Sequence, residues 1–386
     1  MPNSLACVLT LLLLLTLCVV APAKECSRLI TAEMRAQALR NAERYGWVAE
    51  WQRGVIRVAE PWVQLSDEEL WSLVTSQELP RAAFIAAGIL YEGKPDACPN
   101  CGQPIGYSGV MDFWKHDWKV GCPSCKEQFP KNDFRAFYES ALDEHGCFRR
   151  ELGDQSLLFN TEHPDPNDPD HRLWVDDGYG LTDSKGNVHH FIAYYNQWAQ
   201  WANIFAAVES LSLAYAATSD RRYAHKAAVL LDRISDVYPE MDYYPLGKMG
   251  LQHSHGGTLQ GRIEGNIWEA FRAELLAKGY DLIFDGIQGD EELVRFATRQ
   301  SERYRLGDKS SVAAICRHIE DHFLQEVFKS VQDGRINGNT GMTHTCLATA
   351  AIALDRPGLS EQWLDWLFDP QYPAINANYP RHKDPV

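Results

Sequence analysis

From residue 195 onward, apolar residues recur every three to four positions, the spacing of one helix face. Such runs cover 195–218, 221–237, 263–284, 290–304, 311–331, 340–354 and 360–368. Asp220 and Ser360 stand where helix caps are expected, and Gly338-Asn339 opens the run at 340. Shorter helices are predicted over 65–74, where Ser66 and Glu69 form a capping box, and over 81–90 and 132–142. Residues 159–187 are rich in Pro, Asp, Asn and Gly and cannot hold a helix. Runs of alternating polarity, as a large sheet requires, are missing. The pattern predicts a mainly α protein built as an array of helical hairpins.

The N-terminus departs from this pattern. Residues 9–20 are almost wholly apolar, too short for a good membrane span, and Ala21-Pro-Ala23 follows as a small-x-small cleavage pattern. Residues 1–23 therefore read as a signal peptide, against the competing reading of an uncleaved anchor, and the product as secreted or periplasmic. The formal net charge of -15 disfavours nucleic acid and anionic membrane surfaces as partners. The 12 Trp and 16 Tyr are many, and sugar-binding clefts use such rings, although most are expected in the core.

Two of the ten cysteines fall in the leader. Four others form Cys98-Pro-Asn-Cys101 and Cys122-Pro-Ser-Cys125. Each pair is a knuckle that can aim two thiolates at one ion, and four sulfurs suit a structural zinc. Two disulfides are the alternative in an oxidising compartment. The intervening 106–120 suits a short hairpin, and a zinc-ribbon-like module is expected over 95–131, between a helical segment at 24–94 and a helical domain at 132–386. Cys26, Cys147, Cys316 and Cys346 lack any such spacing. Asp165, Asp168, Asp170, Asp176 and Asp177 can bind calcium or close Asx turns, and their spacing favours turns.

Three stretches resemble the heparinase II/III-like polysaccharide lyases, in particular secreted bacterial members with an added cysteine ribbon. They are the ribbon with Phe129-Pro-Lys-Asn-Asp-Phe134, the segment from Asn160-Thr-Glu-His-Pro to Val175-Asp-Asp-Gly178, and Asn337-Gly-Asn-Thr-Gly-Met-Thr-His344 with the helix after it. Tyr223-Ala-His-Lys-Ala-Ala-Val-Leu-Leu231 fits the family's helical part. The resemblance implies an incomplete α/α toroid, normally followed by a β-sandwich, and β-elimination in a uronate polysaccharide of the heparan sulfate or alginate type. It assigns carboxylate neutralisation to Asn339, or else Asn337, and the proton-abstracting base to His344.

Each assignment has a plainer counterpart. Asn339 can be a helix cap, and His344, about 140° further round an ideal helix, converges with it only if Asn339 lies outside that helix. His344 also shares a face with Ala348 and Ala351. Tyr195 and Trp198 can form a sugar platform or pack in the core. His253 and His255 stand in a Gly-rich loop that can line a cleft, and Arg262 can meet a carboxylate bidentately. The family's tyrosine proton donor lies downstream of the Asn/His helix, where this sequence offers Tyr372 and Tyr379 and no sandwich. The expectation is a truncated lyase of feeble activity. The alternatives are an inverting glycosidase using Glu209, Glu264 or Glu269, and a secreted glycan-binding remnant.

Overall fold

The helices begin where the sequence supplies caps. The computed structural model describes residues 24–251, 259–265, 267–339 and 341–368. Thr31 caps α1 (Ala32–Arg44), α2 follows at Gly46–Val63, and both arms of the Ser66–Glu69 capping box hold the start of α3 (Asp67–Leu73). Beyond a single turn, α4 (Ile89–Glu92), and the cysteine module come α5 (Phe134–Ser140) and α6 (Phe191–Tyr195). A π-helical turn, Asn196–Trp201, joins α6 without a break to α7 (Ala202–Thr218). Asp220 caps α8 (Arg221–Val237), and the short α9 (Tyr244–Lys248) follows. The remaining helices are α10 (Ile267–Ile287), α11 (Glu291–Tyr304), α12 (Val312–Ile319), α13 (Gln325–Gln332), α14 (Met342–Leu354) and α15 (Leu359–Phe368). The protein is mainly helical. Among the described residues the strands form two two-stranded ribbons, β1 (Val120–Gly121) with β2 (Gln128–Phe129) and β3 (Leu181–Thr182) with β4 (Val188–His189). No described helix is long and apolar enough to cross a membrane.

Contacts rise in step along α7 and α10, which fixes these helices as parallel. Gln197 bonds Glu264 just ahead of α10, Gly279 faces Val208, and Gly286 faces Tyr215. A Cβ at Gly279 would sit 2.7 Å from the Val208 side chain, and one at Gly286 2.7 Å from the Tyr215 ring. Glycine inside a helix costs roughly 1 kcal/mol against alanine, and here its absent side chain lets the two backbones close up. α14 runs the same way, with Gly338 against Ala270 and Asp355 near the far end, where Arg28 links it to the Asp281 region. Return helices run the opposite way: α8 starts beside Gly286 and its end meets Glu269, while the segment carrying α12 and α13 bonds Tyr280 through Glu320 and Arg262 through Ser330. The parallel helices are apolar nearly all round and mostly buried, whereas α8 and α11 keep one polar face.

Several expectations change here. Residues 81–90 form no helix apart from the first residues of α4. Their backbone is spent on other segments, Ala82 N–H donating to Ala193 O, Ala83 N–H to Leu251 O, and Ile85 O accepting from His190. Arg81 is buried and donates to the Ile263 carbonyl, so it ties this strap to the turn before α10. Residues 106–120 fold back on themselves through one antiparallel bridge, Val110 with Gly121, and the remaining pairs in the module wrap the two cysteine knuckles. Ser360 lies inside α15 and accepts from the Arg356 N–H. The irregular 159–187 region is built of Asx turns: Asp165, Asp168, Asp176 and Asp177 accept from the N–H two residues on.

One ion triad ties three elements together. His225 on α8 bonds Asp290, the cap of α11, at 2.9 Å through Nδ1, and Asp67 in the first turn of α3 at 3.1 Å through Nε2. Burial alone would lower its pKa, but the two carboxylates outweigh burial and raise it from 6.5 to about 9. A raised folded-state pKa contributes stability that is complete below pH 6.5 and is lost as pH climbs through 9. Unfolding free energy is expected to fall by up to about 3 kcal/mol across that window, and His225→Gln should flatten that part of the curve. Denaturant midpoints between neutral pH and pH 10 check this. A slope unchanged by the substitution would refute the triad's role.

Candidate functional site

Because α7, α10 and α14 are parallel, their N-terminal ends share one end of the molecule. Asn339 lies there on the approach to α14, exposed, and Gly341 rather than Asn339 occupies the helix cap. Its position outside the helix meets the condition under which Asn339 and His344 can face one ligand. His344 sits in the first turn of α14, half-buried, its ring centroid 6.2 Å from that of Phe368 at the end of α15. Trp198 lies on the π turn, half-buried, with its indole N–H donated to Ala83 O and its ring edge-on to the exposed Tyr107. Tyr107 in turn packs on Phe84. These two rings were missed by the sequence reading, which had no means of bringing the strap and the cysteine module to the π turn.

Other assignments are corrected by burial. Tyr195 is 0% exposed, its ring packed on Trp118 of the cysteine module, and presents no face to a sugar. Arg262 is 1% exposed and fully engaged: it pairs with Glu326 at 2.6 Å and donates to Ser330 and to the Pro239 and Met241 carbonyls. It is a structural clamp between α13 and the turn before α10. Asn337 is likewise buried and donates to Gly334 O, which closes the turn ahead of Asn339. His253 and His255 lie outside the described residues, as do Tyr372 and Tyr379.

The carboxylates considered for hydrolysis do not form an open pair. Glu269 is fully buried, accepts from the N–H groups of Arg262 and Glu264 and from the Tyr238 hydroxyl, and burial pushes its pKa up to about 7. Glu264 is held by Gln197 and, on both oxygens, by Arg272. Glu209 is exposed on α7. Arg272 stays partly open at this end, its guanidinium over the Phe205 ring, and is a cation the sequence reading did not single out.

The quoted stretches around Phe129–Phe134 and Val175–Gly178 meet each other. Asn132 and Asp176 exchange two hydrogen bonds of 2.9 Å, and Lys131 N–H donates to Trp174 O. The Asp176 carboxyl is fully buried, which raises its pKa to about 7, and it caps Gly178 and Gly180. This half of the motif set is structural. His163, Asp168 and Asp170 also lie close together, but His163 bonds Asp168, and Asp168 closes the turn at Asp170.

The four cysteines converge. Their sulfurs all lie within 4.8 Å of one another, with Cys98 to Cys125 and Cys101 to Cys122 both at 3.8 Å. Metal–sulfur bonds of about 2.3 Å in a tetrahedron set sulfurs roughly 3.8 Å apart, so the donor set fits one ion. None of the eight described cysteines is joined in a disulfide. The two knuckles repeat each other. Cys98 and Cys122 both accept, through their carbonyls, from the residue four on, Gly102 and Lys126, whose φ values are +72° and +68°. The bridge Ala97–Pro104 matches the pair Gly121–Gln128, and Ile105 and Phe129 occupy equivalent buried places. Asn100 donates its amide toward Cys125 at 3.6 Å. An ion held by all four sulfurs would have no open position, and the module that carries them packs on the core that includes Phe129, Phe191 and Tyr195.

No protein-family model, no curated protein and no solved structure matches this chain.

Metal analysis of the purified protein is expected to return one ion per chain, with four of the eight thiols resistant to a thiol reagent until a chelator is added. Cys122→Ser should lose the ion and expose buried tryptophan in the module, while most helical circular dichroism survives. A metal-free, folded protein with all thiols reactive would refute the centre.

Proposed function

We propose that this protein is an exported polysaccharide lyase that cleaves uronate-containing glycans, of the heparan sulfate or alginate type, by β-elimination. In this reading the helical hairpins are part of an α/α toroid, residues 1–23 are removed on export, and the cysteine centre holds a structural zinc. The observation that carries the reading is the placement of exposed Asn339 just ahead of α14, with His344 in that helix's first turn.

The chemistry asks for what that position can supply. The carbon beside the uronate carboxylate is very weakly acidic until the carboxylate charge is offset. The Asn339 amide, with the N-terminal dipoles of α10 and α14 behind it, offsets that charge and stabilises the developing enolate. His344 takes the proton from that carbon. The electron pair of that carbon–hydrogen bond becomes the double bond of an unsaturated uronate end as the bond from the adjacent ring carbon to the bridging oxygen breaks, and that oxygen, leaving with the neighbouring sugar as a new reducing end, takes a proton from protonated His344 or from water. Trp198 and Tyr107 offer flat apolar surface to the neighbouring sugar, and Arg272, paired with Glu264, keeps part of its guanidinium open beside them.

Incubation with alginate, heparan sulfate and neutral glucans is expected to release ultraviolet-absorbing unsaturated ends from a uronate polymer alone. His344→Ala should lower the rate by about 10²–10⁴-fold, and Asn339→Ala by about 10²–10³-fold, each with thermal stability little changed. Saturated reducing ends would mean a hydrolase, and binding without any product would mean a glycan-binding remnant; either result sinks the lyase reading.

A further inference from the structure

A cavity of about 820 Å³ opens between the first cysteine knuckle and the β3–β4 hairpin. The knuckle forms one wall and the hairpin the other, and Ala86 and Ala87 of the strap also line it. Its volume is that of pockets that take a small organic molecule. Neither the metal centre nor the end that carries Asn339 and His344 accounts for it.

Two buried polar atoms at this cavity make no hydrogen bond within the protein. His189 lines the cavity and is 6% exposed. Its Nε2 lies 3.1 Å from Asp183 Oδ2. Asp183 also accepts from the N–H groups of Lys185 and Asn187 and from the Asn187 amide, so its carboxylate acts here only as an acceptor. Nε2 therefore carries the ring proton, and Nδ1 is left as an acceptor. That Nδ1 is buried and has no partner. Asp96 stands between the lining residues Pro95 and Ala97. Its Oδ1 takes the Ala86 N–H at 2.9 Å, and its Oδ2 is buried and unbonded. Unpaired polar atoms are costly inside a protein and uncommon. Two around one cavity call for a guest that brings hydrogen-bond donors.

Charge and position narrow the guest further. Lys94 and Lys185 line the cavity, and Asp183, the one carboxylate among the described lining residues, is already occupied by its own donors. Lys94 meets Glu92 at 2.8 Å, whereas Lys185 has no carboxylate partner among the described residues. An inorganic anion would satisfy Lys185 and leave both acceptors unmet, and a neutral sugar would do the reverse. A sugar acid meets all three, with hydroxyls for His189 and Asp96 and a carboxylate for Lys185. The strap sets the place. It runs from Ala83, whose carbonyl holds Trp198, through Phe84 beneath Tyr107, to Ala86 and Ala87 at the cavity.

We propose that this cavity is a remote subsite for one acidic sugar unit of a glycan chain, beyond the rings of Trp198 and Tyr107. That the sugar acid belongs to a glycan rests on the function proposed above. The unit's hydroxyls donate to His189 Nδ1 and Asp96 Oδ2, and its carboxylate meets the Lys185 ammonium. Asp183 keeps the imidazole oriented through Nε2. Binding energy gained here, away from the reacting bond, favours long chains over short ones.

The test uses the full chain with His344→Ala, so that binding is read without turnover. Octasaccharides of alginate and heparan sulfate, a neutral glucan octasaccharide and inorganic phosphate are the probes. Lysine acetylation followed by mass spectrometry reads the place of binding. An acidic octasaccharide is expected to protect Lys185, while exposed Lys115 and Lys329 react as before. By calorimetry, Lys185→Ser should raise the Kd of that octasaccharide about tenfold, the loss of one hydrogen bond to a charged group. Val188→Trp, at a 43% exposed position on the hairpin wall, should keep the thermal midpoint and abolish the protection. Lys185 left open by both acidic octasaccharides would overturn the proposal, as would equal protection by phosphate or by the neutral glucan. The lyase reading is decided separately, by the products of the chain with His344 intact. Protection without unsaturated products would keep the subsite and sink the lyase, and unsaturated products without protection would do the opposite.

Discussion

The close approach of α10 to α7 at Gly279 and Gly286 is the constraint on which the rest of the arrangement depends. A methyl group at either position would overlap Val208, or Tyr215 and Ala224, and the helices would have to separate. Their separation would pull Glu264 from Gln197 at one end and the Arg221 clamp from Gly286 at the other. Because the contacts keep the two helices parallel, the connection between them must return along the molecule, which α8 does. The same logic places α14 beside α10, with α13 and α15 returning. The shared N-terminal end is therefore a consequence of helix packing, and the candidate site inherits its position from two glycines a long way from it.

Capped and amphipathic elements were legible in the sequence. Ser66 with Glu69, and Asp220, start helices where their side chains can satisfy backbone N–H groups, and these signals are local. The cysteine knuckles were legible for the same reason, since a metal site of this kind is written in short spacings. The Asp-rich segment was legible as turns because four of its five named aspartates act on a residue two places away. What failed was anything decided by distant partners. The strap at 81–90 has helix-compatible residues, but Ala193 and Leu251 compete for its backbone, and neither lies near it in sequence.

Burial misled the reading of the site in one consistent direction. Arg262, Asn337 and Tyr195 are residue types that functional sites use, and all three proved to be interior. Arg262 is affordable there because its guanidinium finds Glu326, Ser330 and a cluster of carbonyls left open by the turn before α10. Asn337 serves the turn behind Asn339. A buried polar group with every partner in place and a ligand-binding group look the same in one dimension. Glu264 and Glu269 teach the same lesson, since both are committed to holding one short loop.

The π turn at Asn196–Trp201 explains why Tyr195 and Trp198 part company. In a regular α-helix, positions three apart lie on neighbouring faces, so a sequence read as uninterrupted helix places both rings on one platform. The wider π turn opens the angle between them. Tyr195 stays inside, against Trp118, and so receives the cysteine module; Trp198 turns toward the strap, where Ala83 O accepts its indole N–H and Tyr107 meets its ring. One extra residue in the winding thus does two jobs, docking the four-cysteine module on α6 and delivering an aromatic ring to the end where α10 and α14 begin. Such turns recur at functional sites because an α-helix left regular cannot serve a core and a site from adjacent positions.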